Sequence, residues 1–190
     1  MTWEPSPVQR LAAWLEDLEK FDLPDWDSLP QLDLYMDQVI LLLNRYLAPM
    51  VREEKYVTAS IINNYVRMKV MPPPVKKRYA RAHLAYLIII CTLKQSLSIS
   101  CIQRLLPAEH SEERARTLYT DFVRQYRASV AFLRELDVSG ETLTLGGVKE
   151  LGAGGESSLV TTSAILSTLS KALTEFLLQE EEPEPAEDEE

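Results

Sequence analysis

The sequence predicts an all-α protein. Three observations carry that prediction: all six glycines fall between Gly140 and Gly155, the eleven prolines stand at segment ends, and the stretches between them repeat apolar residues at spacings of three and four. With 190 residues, 46% of them hydrophobic and three Trp and eight Tyr among them, the chain can build one or two compact domains.

The elements follow in order. Pro7 to Phe21 reads as a first helix, with Leu11, Trp14, Leu15, Leu18 and Phe21 on one face. The turn-rich link LPDWDSLPQ comes next, and Leu32 to Leu47 forms a second helix, ended by Pro49, whose apolar stripe is Tyr35, Met36, Val39, Ile40, Leu43 and Leu47. Thr58 is placed to cap a third helix reaching Met71, which Pro72-Pro73-Pro74 stops. Lys76 to Tyr79 reads as a short extended connector. Arg81 to Gln95 is apolar nearly all round, the pattern of a buried helix. Ser98 caps a fifth helix to Leu106, closed by Pro107. Ser111 to Leu136 is a long amphipathic helix using Ala115, Leu118, Phe122, Tyr126, Val130 and Leu133.

LGGVKELGAGGES reads as a flexible connector, since it lacks both the Gly-Lys-Ser/Thr ending and the preceding strand of a phosphate-binding loop. Ser157 to Gln179 is the last helix. Residues 180–190, with eight acids among eleven, cannot build a core and are expected to be disordered. The tail reads as a solubilising extension; the sharper alternative is that it folds back on a basic face and competes with a polyanion there.

Several function classes are excluded. The start, MTWEPSPVQRLAAW, has no basic segment followed by an apolar run, and the most apolar stretch, Leu84 to Leu93, is roughly half the length of a membrane crossing. No membrane partner and a cytoplasmic location are expected. Cys91 and Cys101 lie in apolar helical context and read as reduced thiols. With only His83 and His110 beside them there is no zinc spacing, so no metal and no cofactor are expected. No Ser/His/Asp or Cys/His arrangement is readable, and the chain is not expected to be an enzyme.

Charge supplies the positive signal. The formal net charge is −9, yet from Lys55 to Ala108 there are nine Lys or Arg and no Asp or Glu. The first 54 residues hold eleven acids against four bases, and residues 109–190 hold eighteen against seven. A basic face on an acidic protein is what polyanion binding requires, because whole-molecule repulsion is overcome only where the field is focused. Part of the missing acid is simply the apolar Arg81–Gln95 helix; the functional charge concentrates between Arg67 and Arg81.

On the third helix the apolar residues leave Ser60, Asn63, Asn64 and Arg67 on one polar stripe, at i, i+3, i+4 and i+7. Asn pairs bidentately with adenine, Arg with guanine, and Ser bonds a base edge or phosphate, so the stripe has the chemistry of a major-groove reader. Lys69, Lys76, Lys77, Arg78 and Arg81 follow and suit flanking phosphates. The plainer alternatives are a solvated helix face and a rigid interhelix linker.

The run VTASIINNYVRMKVMPPPVKKRYARAHLAYLIIICTLKQSLSISCIQRLLP resembles the winged helix–turn–helix head of the MerR superfamily. LDLYMDQVI, INNYVRMKVMPPPVKKRY, HLAYLIIICTLKQ and LSI are more closely similar to an uncharacterised bacterial family, domain of unknown function 1836, whose members are regarded as transcriptional regulators. The resemblance covers roughly residues 24–108.

It implies that Leu34 to Leu47 is the first helix of the motif, Thr58 to Val70 the recognition helix and Pro72 to Tyr79 a wing, at most a minor β element. With the helices and tail read outside it, the chain divides into an N-terminal helix (1–23), the winged helix–turn–helix (24–108), a helical packing or dimerisation region (109–179) and the tail (180–190). Two departures stand out. The turn Ala48 to Val57 is longer than in MerR proteins, and Ala80 stands where a capping Ser is usual, a change that typically costs ~1 kcal/mol.

The implied function is sequence-specific reading of double-stranded DNA in a bacterial cytoplasm. The competing reading is a non-catalytic interaction adaptor that retains the fold, which a pI near 4.9 favours. A homodimer through the last two helices is preferred, since such readers use paired half-sites; packing of those helices within one chain is the alternative.

Overall fold

The computed structural model describes residues 7–20, 22–48, 50, 56–107, 111–139, 142–145 and 156–177. It is mostly helical. In chain order come α1 (Pro7–Lys20), a 3₁₀ turn (Trp26–Ser28), α2 (Met36–Leu47), α3 (Ala59–Arg67), α4 (Arg81–Leu93), α5 (Ile99–Leu105), α6 (Glu112–Leu133), β1 (Leu136–Ser139), β2 (Thr142–Leu145) and α7 (Glu156–Leu177).

The fold is organised around α4, where every residue from His83 to Leu93 is buried. A helix apolar on all sides has no stripe to orient it and must be enclosed. Helices α2, α6 and α7 pack around it, α1 covers α6 and α7, and α3 leans on α2. Leu84, Leu87, Ile88, Ile90, Ile62, Leu43 and Ile165 are among the residues sealed from solvent. Each such Leu or Ile contributes about 1.5–3 kcal/mol over an exposed one. Both terminal helices therefore share one core with the middle of the chain. The intrachain packing of α7 on α6, which the sequence left as the alternative to a dimer, is the arrangement found.

Ser98, Ser111 and Thr58 cap their helices as expected. Their hydroxyls accept from the backbone N–H of Cys101 (3.3 Å), Arg114 (3.3 Å) and Ile61 (3.4 Å). Ala80 has no side-chain acceptor to offer α4, and a different device replaces the cap. His83 Nδ1 accepts from the Ala80 N–H at 3.0 Å, which leaves Nε2 to donate to the Pro73 carbonyl at 3.2 Å. One ring thus ties the proline run to α4, and the junction is held despite the alanine.

The link before α2 is fastened by opposite charges. Arg127 on α6 donates to Asp22 (2.7 Å), Asp25 (2.8 Å) and the Leu23 carbonyl (3.1 Å). Asp27 meets Arg116 at 3.4 Å and Arg81 at 3.8 Å. Tyr119 donates to the Pro24 carbonyl at 2.8 Å while its ring lies 6.3 Å from that of Trp26. Asp22, Asp25 and Asp27 are thus all paired with arginines from α4 and α6.

Three boundaries differ from the sequence reading by three residues or more. Helix α2 starts at Met36, not Leu32, because Leu34 is extended and pairs with Tyr79 through two hydrogen bonds, 2.9 and 2.8 Å. Helix α6 ends at Leu133, and the chain then forms a two-stranded antiparallel sheet, Leu136 facing Leu145 and Ser139 facing Thr142. A strand does therefore precede Gly146, although the Gly-Lys-Ser/Thr ending is still missing. Helix α3 stops at Arg67, four residues short of the expected Met71. The glycine-rich stretch 146–155, the acidic tail 180–190 and His110 lie outside the described residues. Among the described residues no helix is long and apolar enough to cross a membrane.

Candidate nucleic-acid interface

Helix α3 is set in place from both ends. Asn44 on α2 brackets Val57: its amide donates to the Val57 carbonyl (3.1 Å) and its oxygen accepts from the Val57 N–H (2.9 Å). That pair fixes the entry to α3 in spite of the long turn before it. At the exit, Lys69 N–H bonds the Val66 carbonyl and Val70 N–H the Tyr65 carbonyl, both at 3.0 Å. This is a Schellman C-cap, with Val70 and Tyr65 both buried as its hydrophobic contact. Gln103 on α5 adds a bond to the Met68 carbonyl at 2.7 Å.

The position that such a cap turns on is left-handed, and glycine is its usual occupant. Here it is Lys69, at φ 56°. The same choice recurs in the loop after the prolines. Val75 and Arg78 exchange both backbone hydrogen bonds (3.1 and 2.9 Å), closing a two-residue hairpin turn over Lys76 and Lys77. Both central residues have positive φ, 50° and 63°, the mirror-image turn that normally takes Asn-Gly. A left-handed non-glycine residue costs roughly 1–2 kcal/mol. Lys69, Lys76 and Lys77 are the non-glycine residues with positive φ among those described, and all three are exposed lysines.

The stripe on α3 is real but not free-standing. Ser60, Asn63 and Arg67 are exposed and Asn64 is half-buried. Arg67 donates to Asn64 Oδ1 at 2.7 Å, and the Asn64 amide reaches Met68 Sδ at 3.5 Å, so the Arg67 and Asn64 side chains hold each other. All four stripe residues line an open cleft of about 900 Å³ whose other walls carry Lys94, Gln95 and Lys171.

The five cations expected on phosphates divide. Lys69, Lys76 and Lys77 meet no acid within ion-pair distance among the described residues. Arg78 stacks on the half-exposed Tyr35 ring, 5.3 Å from its centroid, and donates to its hydroxyl at 3.3 Å. Arg81 faces inward. Its side chain is 14% exposed, lies over the Trp26 ring at 5.5 Å and pairs with Asp27, so it is an anchor of the link and is not aligned with the hairpin lysines.

Beneath the cleft the floor is apolar and uncharged. Burial pushes the Cys91 thiol up to about 12, although a hydrogen bond with Tyr65 pulls the other way. Burial likewise raises Tyr65, with Cys91 and Tyr56 adding to it, and Tyr56 donates to the Cys91 carbonyl at 3.2 Å. Neither thiol nor phenol is ionised near neutrality, so the cleft's charge comes from its rim.

Sequence reasoning missed Asn44, Gln103, Tyr35, Lys94 and Lys171. The first two are ordinary amides whose partners are remote in sequence; Lys171 is the sole Lys or Arg of α7, a signal that was available.

The family model for a domain of unknown function, DUF1836, matches residues 24–124, just over half of the chain. The match begins in the link and reaches into α6, so it includes the α6 turns carrying Ala115, Tyr119 and Phe122 that pack into the core. Comparison with the curated proteins and with the solved structures returned no match.

Proposed function

The chain belongs to the family of the domain of unknown function DUF1836, and from that premise we propose that it is a non-catalytic, sequence-specific DNA-binding transcriptional regulator of the MerR-like winged helix–turn–helix kind. In this reading α2 and α3 are the helix pair, α3 enters the major groove, and the Val75–Arg78 hairpin is the wing, with the Leu34–Tyr79 pairing as its minor β element. Ser60, Asn63, Asn64 and Arg67 read bases. Lys69, Lys76, Lys77 and Arg78 hold phosphates; Arg81 serves the scaffold instead.

The observation that carries the proposal is the set of three left-handed lysines. Backbone strain at an exposed turn is retained where the strained residue has a use. Glycine would relieve it at each position but would remove the charge. An uncharged role for these turns does not account for lysine at all three.

A homodimer on paired half-sites belongs to the proposal. Since α7 is packed within its own chain, the partner surface is the exposed apolar part of that helix, Leu159 and Val160.

The test is selection from a genomic DNA pool at near-physiological salt, with sequencing of the bound fragments. An enriched motif is expected. Asn64→Ala with Arg67→Ala relaxes the preference, whereas Lys76→Ala with Lys77→Ala weakens binding roughly 30-fold and lowers the salt slope by about 2. The second reading, an interaction adaptor, draws on Leu32, Tyr35 and Val75, which are 81%, 54% and 69% exposed around the hairpin. It wins if no motif is enriched and the lysine changes are silent.

A further inference from the structure

The cleft beside α3 draws cations from three separate elements. Arg67 comes from α3, Lys94 from the end of α4, and Lys171 from α7. Among the described residues no Asp or Glu lines it. Glu175 pairs with Lys171 at 3.3 Å from one turn further on, but both are about half exposed, so the pair is weak and easily exchanged. Asn63 and Gln95 add amides that can donate or accept, and Gln95 already holds Lys171 at 3.5 Å. A volume of about 900 Å³ suits a small molecule. It is far too small for a protein domain.

We infer that this cleft binds a small polyanion, a molecule carrying two or more phosphate or carboxylate groups held by Arg67, Lys94 and Lys171. Binding itself does not depend on the DNA-reading proposal. One consequence does rest on it: the ligand and DNA would use the same Asn63, Asn64 and Arg67, so occupancy of the cleft excludes DNA. Arg67 gives one N–H to Asn64 Oδ1 at 2.7 Å and keeps its other guanidinium N–H groups for an anion.

The experiment is calorimetric titration of the full chain at about 50 mM ionic strength, with inorganic pyrophosphate in one arm, citrate in a second and sulfate in a third. Saturable one-site binding is expected for pyrophosphate or citrate, and the better of the two identifies the anion class. Lys94→Ala with Lys171→Ala weakens it about tenfold or more, while Lys76→Ala with Lys77→Ala leaves it unchanged. Lys76, Lys77 and Lys171 are exposed and Lys94 is half-buried, and an unaltered thermal midpoint confirms that the variants are folded. No binding in either arm overturns the inference. So does sulfate binding equally tightly, or equal loss in the two double variants. Adding ligand at constant ionic strength to a DNA complex then separates the proposals. Ligand binding without any DNA binding removes the regulator reading and leaves the site standing; DNA binding without ligand does the reverse.

Discussion

Two clusters of cations lie within one chain and use different chemistry. Around the 22–27 link the cations are arginines, Arg81, Arg116 and Arg127, each engaged by an aspartate of the link. Around α3 and the hairpin, beside Arg67 and Arg78, stand three lysines, Lys69, Lys76 and Lys77, at left-handed backbone positions with no acid within ion-pair distance among the described residues. The planar guanidinium is suited to fixed, multidentate pairing, while the ammonium is a hydrated point charge on a flexible stem. The first cluster holds the fold; the second holds charge available to something else. What distinguishes a structural cation from a functional one here is its partner, not its position in a basic stretch of sequence. Arg81 makes the point, since it sits at the edge of the acid-free window and belongs to the first cluster.

Alkali is the strongest way to stress the scaffold. Cys91 is raised from 9.0 to about 12, and burial also raises Tyr65, Tyr119 and Tyr126 above 10.0. The unfolded chain releases these protons first, so stability is intact below pH 9 and falls as pH rises beyond it. Cys91 alone accounts for up to about 4 kcal/mol by pH 12. Denaturant melts between pH 8 and 11 check this, and Cys91→Ala flattens the decline.

Arg127→Ala comes next. Its three acceptors are partly solvated, so the loss is about 2 kcal/mol, a few degrees in thermal midpoint, with DNA affinity unchanged. A drop in affinity at unchanged stability would place Arg127 in the wrong cluster. Lys69→Gly is expected to act in the opposite sense, raising stability by about 1 kcal/mol and weakening DNA binding several-fold. Arg81→Met is the smallest change. It keeps the stem over Trp26, costs under about 1 kcal/mol and leaves the salt slope where it was. A slope lower by about 1 would return Arg81 to the phosphate-binding set.

Much of the scaffold was legible in the residues. Helical periodicity and proline punctuation place the seven α-helices of the described residues in order, and the all-round apolarity of LAYLIIICTL places α4 at the centre. Thr58, Ser98 and Ser111 announce their caps because capping is a local, side-chain-to-backbone event. The β1–β2 hairpin was missed although LDVSGETLTL alternates with period two around Gly140; the helical pattern running into Leu136 masked the change of period. The early end of α3 was hidden because a left-handed lysine carries none of the glycine signal that marks such caps. In the candidate site, the polar stripe and the hairpin lysines were readable from spacing and charge. The cleft was not, because Lys171 reaches it through the packing of α7, and Arg81's inward turn was not, because charge counting does not see Asp27 across the fold.

The central claim is that strain at the hairpin is retained for the sake of its lysines, and Lys76→Asn with Lys77→Gly tests it most directly. Asn-Gly is the pair this turn favours, so thermal melting should show a gain of about 1–2 kcal/mol, while affinity for the enriched DNA falls roughly 30-fold in the same preparation. Opposite signs in the two readouts are the expected result. A variant that loses stability, or one that binds DNA as tightly as the parent, would contradict the account.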